Sequence, residues 1–482
     1  MIGVILAIVL PLTLGGGGDN PPSPPAPPTP PEPPRPTPNE TDPYLYQEFN
    51  PFYIDDSLPI KTTTYDATFP LKFNSSAFNG EQRIKRKLPA VVKAFMREEE
   101  ATEDLVYRPM NPRYLPNNEN NTWPQQLNLN VQMNSNTQVR VLLTDSQVSV
   151  NQSLKHQVNS NLFPRPKLEI ESRLKQVGFT YNETASFAFN FTDIYSQETL
   201  VTTLYRKMVV TDFYSEIGFV LPTQRCFGLG TRNGRFQLDT GTYSFNTRSH
   251  EESLAADDGY GGKSSNHIQP FMLCQSAAKR DFFGMFFAST APQVFEVVKF
   301  TNSSRMVLNY ITIGGSLEFY VFMRGSAQEI IQQYHGLIGN PLMPPYYALG
   351  VFHGSNTYDQ WAKVKAVYDN YNGAAGPKQA LDAVFVEEFN MAPHWSLTVS
   401  AQAFPNLGAE VDKIHAGNQR IVFGASLALA ADSNYPWYVQ AKQGQCLVKS
   451  FSGLANGPLT GILGQTQVQY LDTYSQCFDT WL

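Results

Sequence analysis

A long basic block is missing from this chain, which has 36 Lys and Arg against 42 Asp and Glu over 482 residues, for a net charge of −6. Nucleic acid is therefore excluded as the main partner, because neutralising phosphates needs clustered cations. No Cys-x-x-Cys occurs among the four cysteines, which argues against a zinc site or a dithiol redox centre. The apolar N-terminal run Met1–Leu14 (MIGVILAIVLPLTL) falls short of the ~20 residues that cross a bilayer, and no Lys or Arg precedes it. Residues 1–18 are read as a signal peptide or apolar anchor, which predicts a secreted or cell-surface protein of the secretory pathway.

An exported chain gives the cysteines a role. Cys226, Cys274, Cys446 and Cys477 form an even set suited to disulfides. Neighbour pairing, Cys226 with Cys274 and Cys446 with Cys477, closes the shorter loops, but sequence leaves the connectivity open. Four buried thiols are the competing reading. Seven Asn-x-Ser/Thr sequons, at Asn39, Asn74, Asn120, Asn151, Asn182, Asn190 and Asn302, are acceptors if the chain is exported. All precede residue 303, and Asn is common enough here for chance to supply a similar number.

With 42% hydrophobic and 13% aromatic residues, the chain has the material for two or three domains. Residues 19–40 are a Pro-rich linker. Its core, residues 21–38, cannot form helix or sheet and is expected to run as polyproline II for ~55 Å. A stalk or a plain linker both fit; the modules that bind proline runs are mostly intracellular.

Residues 41–335 read as all-β, a sandwich of short strands. Leu127–Met133, Val139–Leu143 and Phe187–Phe191 alternate or cluster as half-buried strands do. Within Ile84–Glu100, the part after Pro89 predicts one exposed helix. Ala327–Ile338 has helical apolar spacing, closed by Pro341, Pro344 and Pro345. Over 336–482, strands at Tyr347–Phe352, Leu381–Val386 and Arg420–Leu429 alternate with helices at Tyr358–Tyr371 and Ala409–Ala416. Alternating βα units point to a parallel sheet or barrel.

Four landmarks then fall in order: Phe227-Gly-Leu-Gly230, Gly314–Gly325 (GGSLEFYVFMRG), Gln333–Pro341 (QYHGLIGNP) and Met343–Gly350 (MPPYYALG). On these the chain resembles glycoside hydrolase family 31, the α-glucosidase family, from roughly Leu127 onward. The resemblance implies a galactose-mutarotase-like β-sandwich followed by a (β/α)8 TIM-type barrel, here incomplete, that cleaves α-linked sugars with retention. It implies carbohydrate as ligand and no cofactor or metal.

Retention needs two carboxyl groups ~5–5.5 Å apart. By motif order neither lies before Trp481-Leu482, so no catalytic residue is assigned and the chain is expected to be inactive alone. The family's Asp-x-Asp-Tyr-Met run aligns with Glu387–Met391, which puts Glu387 and Phe389 at its two Asp positions. The Arg-aromatic pair expected after His353 is replaced by Gly354–Thr357. An Asp-Pro becomes Ser426-Leu427 and a Trp-Pro-Gly becomes Gly464–Thr466, while Tyr470-Leu471-Asp472 keeps a Phe-Pro-Asp outline. Substrate-binding candidates are thus Glu387, His353 and Asp472.

Glu387 and Glu388 are neighbours on a strand and point to opposite faces, so they are not a dyad. Two solvated charges are the plain alternative. His353 and His394 are more readily structural than acid/base groups, and Trp361, Trp395 and Trp437 more readily packed than sugar-stacking. Three strands cannot close a barrel, and the open edge would call for a partner or for more chain. Three readings follow: an inactive glucosidase homologue, the front half of a longer retaining α-glucosidase, or a glycan-binding or assembly glycoprotein.

Overall fold

The computed structural model describes residues 52–63, 66–73, 126–145, 177–182, 187–210, 214–233, 235–245, 263–277, 281–289, 291, 293–313, 317–355, 357–387, 391–449, 457–463, 465–473 and 475. The N-terminal run, the proline segment, the Ile84–Glu100 helix, Cys477, Glu388, Phe389 and the sequons at Asn39, Asn74, Asn120 and Asn151 lie outside them. Chain contacts separate two units, with the division between Asn340 and Pro341.

The first unit is built from antiparallel strands. In chain order they are β1 (Phe52–Ile54), β2 (Lys61–Thr62), β3 (Asp66–Phe73), β4 (Gln126–Ser135), β5 (Gln138–Asp145), β6 (Val177–Asn182), β7 (Ala188–Asp193) and β8 (Thr199–Val210). There follow β9 (Tyr214–Leu221), β10 (Cys226–Asn233), β11 (Gly241–Phe245), β12 (Lys263–Gln275), β13 (Phe282–Phe287), β14 (Gln293–Lys299), β15 (Met306–Ile313) and β16 (Glu318–Phe322). One sheet runs β1-β3-β4-β5-β16-β13-β12-β10, with β2 on β3; the other runs β11-β14-β15-β9-β8-β7-β6.

Alternation explains how they pack. Leu129, Val141 and Phe319 of the first sheet and Phe191, Phe219 and Leu308 of the second belong to one buried cluster. Rings cross it, with Phe219 edge-on to Phe319 at 5.2 Å and Phe287 stacked on Tyr310 at 4.3 Å. Helix α1 (Ala327–Ile338) covers the other face of the first sheet, laying Ile330, Tyr334 and Leu337 on Phe271, Phe286, Tyr320 and Phe322. Strand β16 is therefore buried on both sides, which is why Glu318–Phe322 reads as a nearly unbroken apolar run. The helix starts at a capping box, Ser326 with Glu329, and the Ser326 N–H and hydroxyl donated to the Glu329 carboxylate hold its pKa low.

Cys226 and Cys274 face each other across β10 and β12 and are joined by a disulfide. Cys446 is also disulfide-bonded. Two residues past Cys226 the ladder shifts register at Gly228 and Gly230. Gly228 has φ +113°, and a Cβ there would lie 2.5 Å from the Phe271 carbonyl oxygen. The Gly-Leu-Gly landmark is thus a bulge inside a strand. Gly228→Ala is expected to cost about 1–3 kcal/mol, because both the dihedral and the backbone contact oppose a side chain. Gly230→Ala, whose methyl would meet nothing within 4 Å, is the matched control and should shift a denaturation midpoint little.

The second unit alternates. Strand β17 (Phe352–Ser355), helix α2 (Trp361–Tyr371), strand β18 (Ala383–Val386), helix α3 (Leu407–Ala416) and strand β19 (Arg420–Phe423) give a parallel sheet in the order β17-β18-β19. Strand β20 (Ala428–Ala430), helix α4 (Pro436–Gln443), β21 (Thr460–Leu463) and β22 (Thr466–Tyr470) follow, with the three strands in a separate antiparallel sheet.

Two expected strands differ from the structure. Tyr346–Leu349 is a 3-10 turn after Pro345, and pairing begins only at Phe352. Short apolar runs do not distinguish a turn of helix from a strand, and Tyr346 and Leu349 are exposed, so no neighbour selects the extended form. Gly350 ends the turn because the Asp382 carboxylate, which accepts the Val351 N–H at 2.7 Å, would lie 2.1 Å from a Cβ placed there. The run Arg420–Leu429 breaks after Phe423, and Ala428–Ala430 pairs instead with β22.

Candidate functional site

In a parallel sheet with helical crossovers, ligands meet the carboxyl ends of the strands. Here those ends are Ser355, Val386 and Phe423. Val384, Val386, Ile421 and Phe423 pack with Trp361, Val364, Tyr368 and Ile414 from the helices, which defines the helix-covered face. Phe385 and Val422 alternate to the other face and are half-buried.

Glu387 follows Val386 directly and is half-buried. A Cβ on Gly424 would lie 3.4 Å from Glu387 Cα and 3.5 Å from the tip of the Phe385 ring. Gly354 likewise faces Phe385 Cβ at 3.2 Å. The small residues Gly354 and Gly424 therefore flank the Phe385 ring, with Glu387 beside it. An aromatic residue and an acidic residue two apart at a strand end are residue types that suit a sugar ring, through C–H groups on the aromatic and hydroxyls on the acid. Phe385 was not singled out in the sequence. Its signal was an aromatic in a strand just before Glu387, which also reads as core.

His353 does not share that face. It pairs in register with Val384, its Nδ1 lies 3.0 Å from the Tyr371 hydroxyl, and Tyr358 stacks on its ring at 6.0 Å. His353 therefore stands at the strand–helix contact, because residue parity on β17 sets its direction. Burial lowers the imidazole pKa, so the fold favours the neutral ring. The stability it contributes is complete above the unfolded value near 6.5 and is lost as pH falls through the lower folded value. His353→Phe is expected to flatten the fall of melting temperature on acidification below that point, measured beside the parent chain in the same buffers.

Asp472 follows β22 and donates its backbone N–H to the Cys446 carbonyl at 2.8 Å. Glu387, His353 and Asp472 thus stand on three different elements of the second unit, with His353 turned to the helices. The tryptophans pack: Trp361, the first residue of α2, is buried in the cluster between the helices and the parallel sheet, and Trp395 stacks on buried Tyr435 at 5.1 Å. The Tyr435 hydroxyl donates to the Ser396 carbonyl, while Ser396 Oγ accepts the Ser426 N–H at 2.8 Å. These bonds tie the loop after β18 to the loop after β19, around Ser426-Leu427. Burial raises the Tyr435 pKa, which suits a structural hydroxyl.

Residues 341–482 match the glycosyl hydrolases family 31 TIM-barrel domain. "Probable maltase-glucoamylase 2" of Homo sapiens is 26% identical over 247 residues, covering 51% of this chain and 9% of that protein. "Sucrase-isomaltase, intestinal" of Suncus murinus is 26% identical over 283 residues, 57% of this chain and 15% of that one. Among solved structures, a glucosidase II alpha subunit superposes with a TM-score of 0.66 at 12% identity, over 90% of this chain and 49% of that chain. A family 31 dextranase of Flavobacterium johnsoniae gives 0.58 at 17% identity, over 75% and 43%. This chain spans about a tenth to a sixth of those curated relatives and about half of the glucosidase II structure. The barrel match and the relatives agree with the four landmarks: residues 341–482 carry the family 31 barrel domain, and the rest of the chain shares the fold of family 31 structures.

Proposed function

We propose that these 482 residues form a carbohydrate-related α-glucosidase homologue, a galactose-mutarotase-like β-sandwich followed by the first part of a (β/α)8 barrel, which binds sugar but does not hydrolyse it alone. The observation that carries this is Glu387 beside Phe385 and Gly424 at the end of β18. A carboxylate can accept sugar hydroxyls and an aromatic ring can meet sugar C–H groups, and the two residues stand two apart at the end of β18. Retaining hydrolysis requires a second carboxyl group ~5–5.5 Å away. The test combines nitrophenyl α-glucoside turnover with a glycan array. Expected are no release of nitrophenol above the blank and glycan binding that Glu387→Gln weakens. Release of nitrophenol by the purified chain would overturn the inactive reading.

The partial span of the relatives favours a second reading, the front half of a longer retaining α-glucosidase. The intact mass of the deglycosylated native protein decides between them. Export and glycosylation belong to the proposal as well. Asn302 is exposed in the turn between β14 and β15, whereas the Asn190 amide is engaged by Thr180 and Thr202 on neighbouring strands. Glycopeptide mapping should therefore find glycan at Asn302 and none at Asn190. One related structure is a glucosidase II heterodimer of a catalytic subunit and the binding domain of a regulatory subunit. A protein partner on the open edge of β17-β18-β19 is the corresponding proposal here, read by gel filtration.

A further inference from the structure

A cleft of about 380 Å³ lies in the first unit, where the β7–β8 turn, the β12–β13 turn and the link from β16 to α1 converge. Its size falls in the range of small-ligand sites, about 300–1,000 Å³. None of its lining residues belongs to the parallel-sheet site. The polar groups are Asp193, Ser196, Glu198, Ser276, Asp281 and Arg324.

Asp193 is buried and committed. Its carboxylate accepts the Tyr195 N–H at 3.0 Å and the Ser196 hydroxyl at 2.7 Å, closing the β7–β8 turn. Arg324 is anchored against it, with Nη1 3.6 Å from Asp193 Oδ1 and the guanidinium 4.5 Å from the centre of the Tyr195 ring. That Nη1 is buried and makes no hydrogen bond. A guanidinium carries five donors in a rigid fork, so one held by charge and ring alone keeps donors for an acceptor that enters the cleft. Also in the lining, Glu198 Oε1 accepts the Ala277 N–H at 2.8 Å, and Asp281 is half-buried. Tyr195, 56% exposed, gives the rim an aromatic surface.

The charges select the ligand. Three carboxylates face one guanidinium, so a phosphate or carboxylate ligand meets net repulsion. A simple amine would sit beside Arg324 and leave its donors unused. Hydroxyl groups accept from Arg324 and donate to Asp281 and Glu198 at once. We propose that this cleft is a saccharide-binding site of the β-sheet unit, separate from Glu387 and independent of whether the parallel-sheet site turns over substrate.

The experiment titrates the full chain with maltose, lactose and chitobiose, and with inorganic phosphate and propylamine as anionic and cationic probes, by ligand-observed NMR and calorimetry. Asp281→Asn and Tyr195→Ala, both at positions with solvent access, are tested with Arg324→Lys, and thermal melts check that each variant folds. Expected is binding of at least one disaccharide at millimolar concentration that weakens about tenfold or more in Asp281→Asn and Tyr195→Ala. Preference for phosphate or propylamine over every disaccharide would overturn the proposal. So would the absence of disaccharide binding, or binding lost in Glu387→Gln and untouched by the folded cleft variants, which would assign it to the other site.

Discussion

Arg140→Met is expected to destabilise the β-sheet unit by about 3–5 kcal/mol, the largest loss foreseen for any single side chain discussed. The Glu318 side chain is fully buried and that of Arg140 is 16% exposed, with Nε donating to Oε1 at 2.8 Å. The strands bring them together, since Arg140 pairs in register with Tyr320, two residues from Glu318. The Tyr320 hydroxyl donates to the same oxygen at 2.9 Å, and Arg140 Nη1 reaches Gln132 Oε1 at 3.3 Å. Met fills much of the Arg volume but supplies no charge, so a carboxylate stays in an apolar setting without its cation. Removing the charge as well should reverse most of the loss. Arg140→Met with Glu318→Gln leaves a neutral amide that still accepts from Tyr320, and buried pairs often cost little to replace as a pair. Chemical denaturation of the parent, both single variants and the double variant closes the cycle. Equal stability of Arg140→Met and the double variant would mean that the carboxylate is solvated or otherwise neutralised, and the assignment of the pair as buried would fail.

What the sequence disclosed follows from how local each signal is. Ala327–Ile338 is helical over the expected span because a capping box, a 3.6-residue apolar rhythm and closing prolines all lie within the segment. Phe187–Phe191 alternates because one face of β7 is buried, and alternation is visible in five letters. Tyr347–Phe352 misled because an apolar run does not say which neighbour will pair with it, and β18 meets the chain only from Phe352. The site divides in the same way. The position of Glu387 was legible from motif frame, since it ends a strand. The direction of His353 was not, because it depends on parity along β17 and on where α2 brings Tyr371. The cleft at Arg324 was invisible: its residues come from three turns spread over positions 193–324, and no spacing rule joins them.

Replacing Cys226 and Cys274 together by Ala is expected to cost about 4 kcal/mol if the cross-link acts on the unfolded chain, given the 48-residue separation it closes. The folded sheet does not need the bond to set register. Phe227 pairs with Leu273 and Gly228 with Met272 beside it, and β12 is held on its other edge by five residue pairs with β13. The far-ultraviolet spectrum should therefore be unchanged while the denaturation midpoint falls, and reduction of the parent protein should reproduce the fall. Gly228→Ala makes the contrast informative, because it strains the folded bulge by more than the stiffening of the unfolded chain offsets, whereas removing the cross-link loosens the unfolded chain. The two lesions lie two residues apart, so their energies are not expected to add. If removing the disulfide costs well under about 1 kcal/mol, the unfolded chain must already hold β10 near β12, since loop-closure entropy is gained only where the ends are otherwise free. That outcome would make the β10–β12 pair, with its glycine bulge, a structured element of the unfolded state.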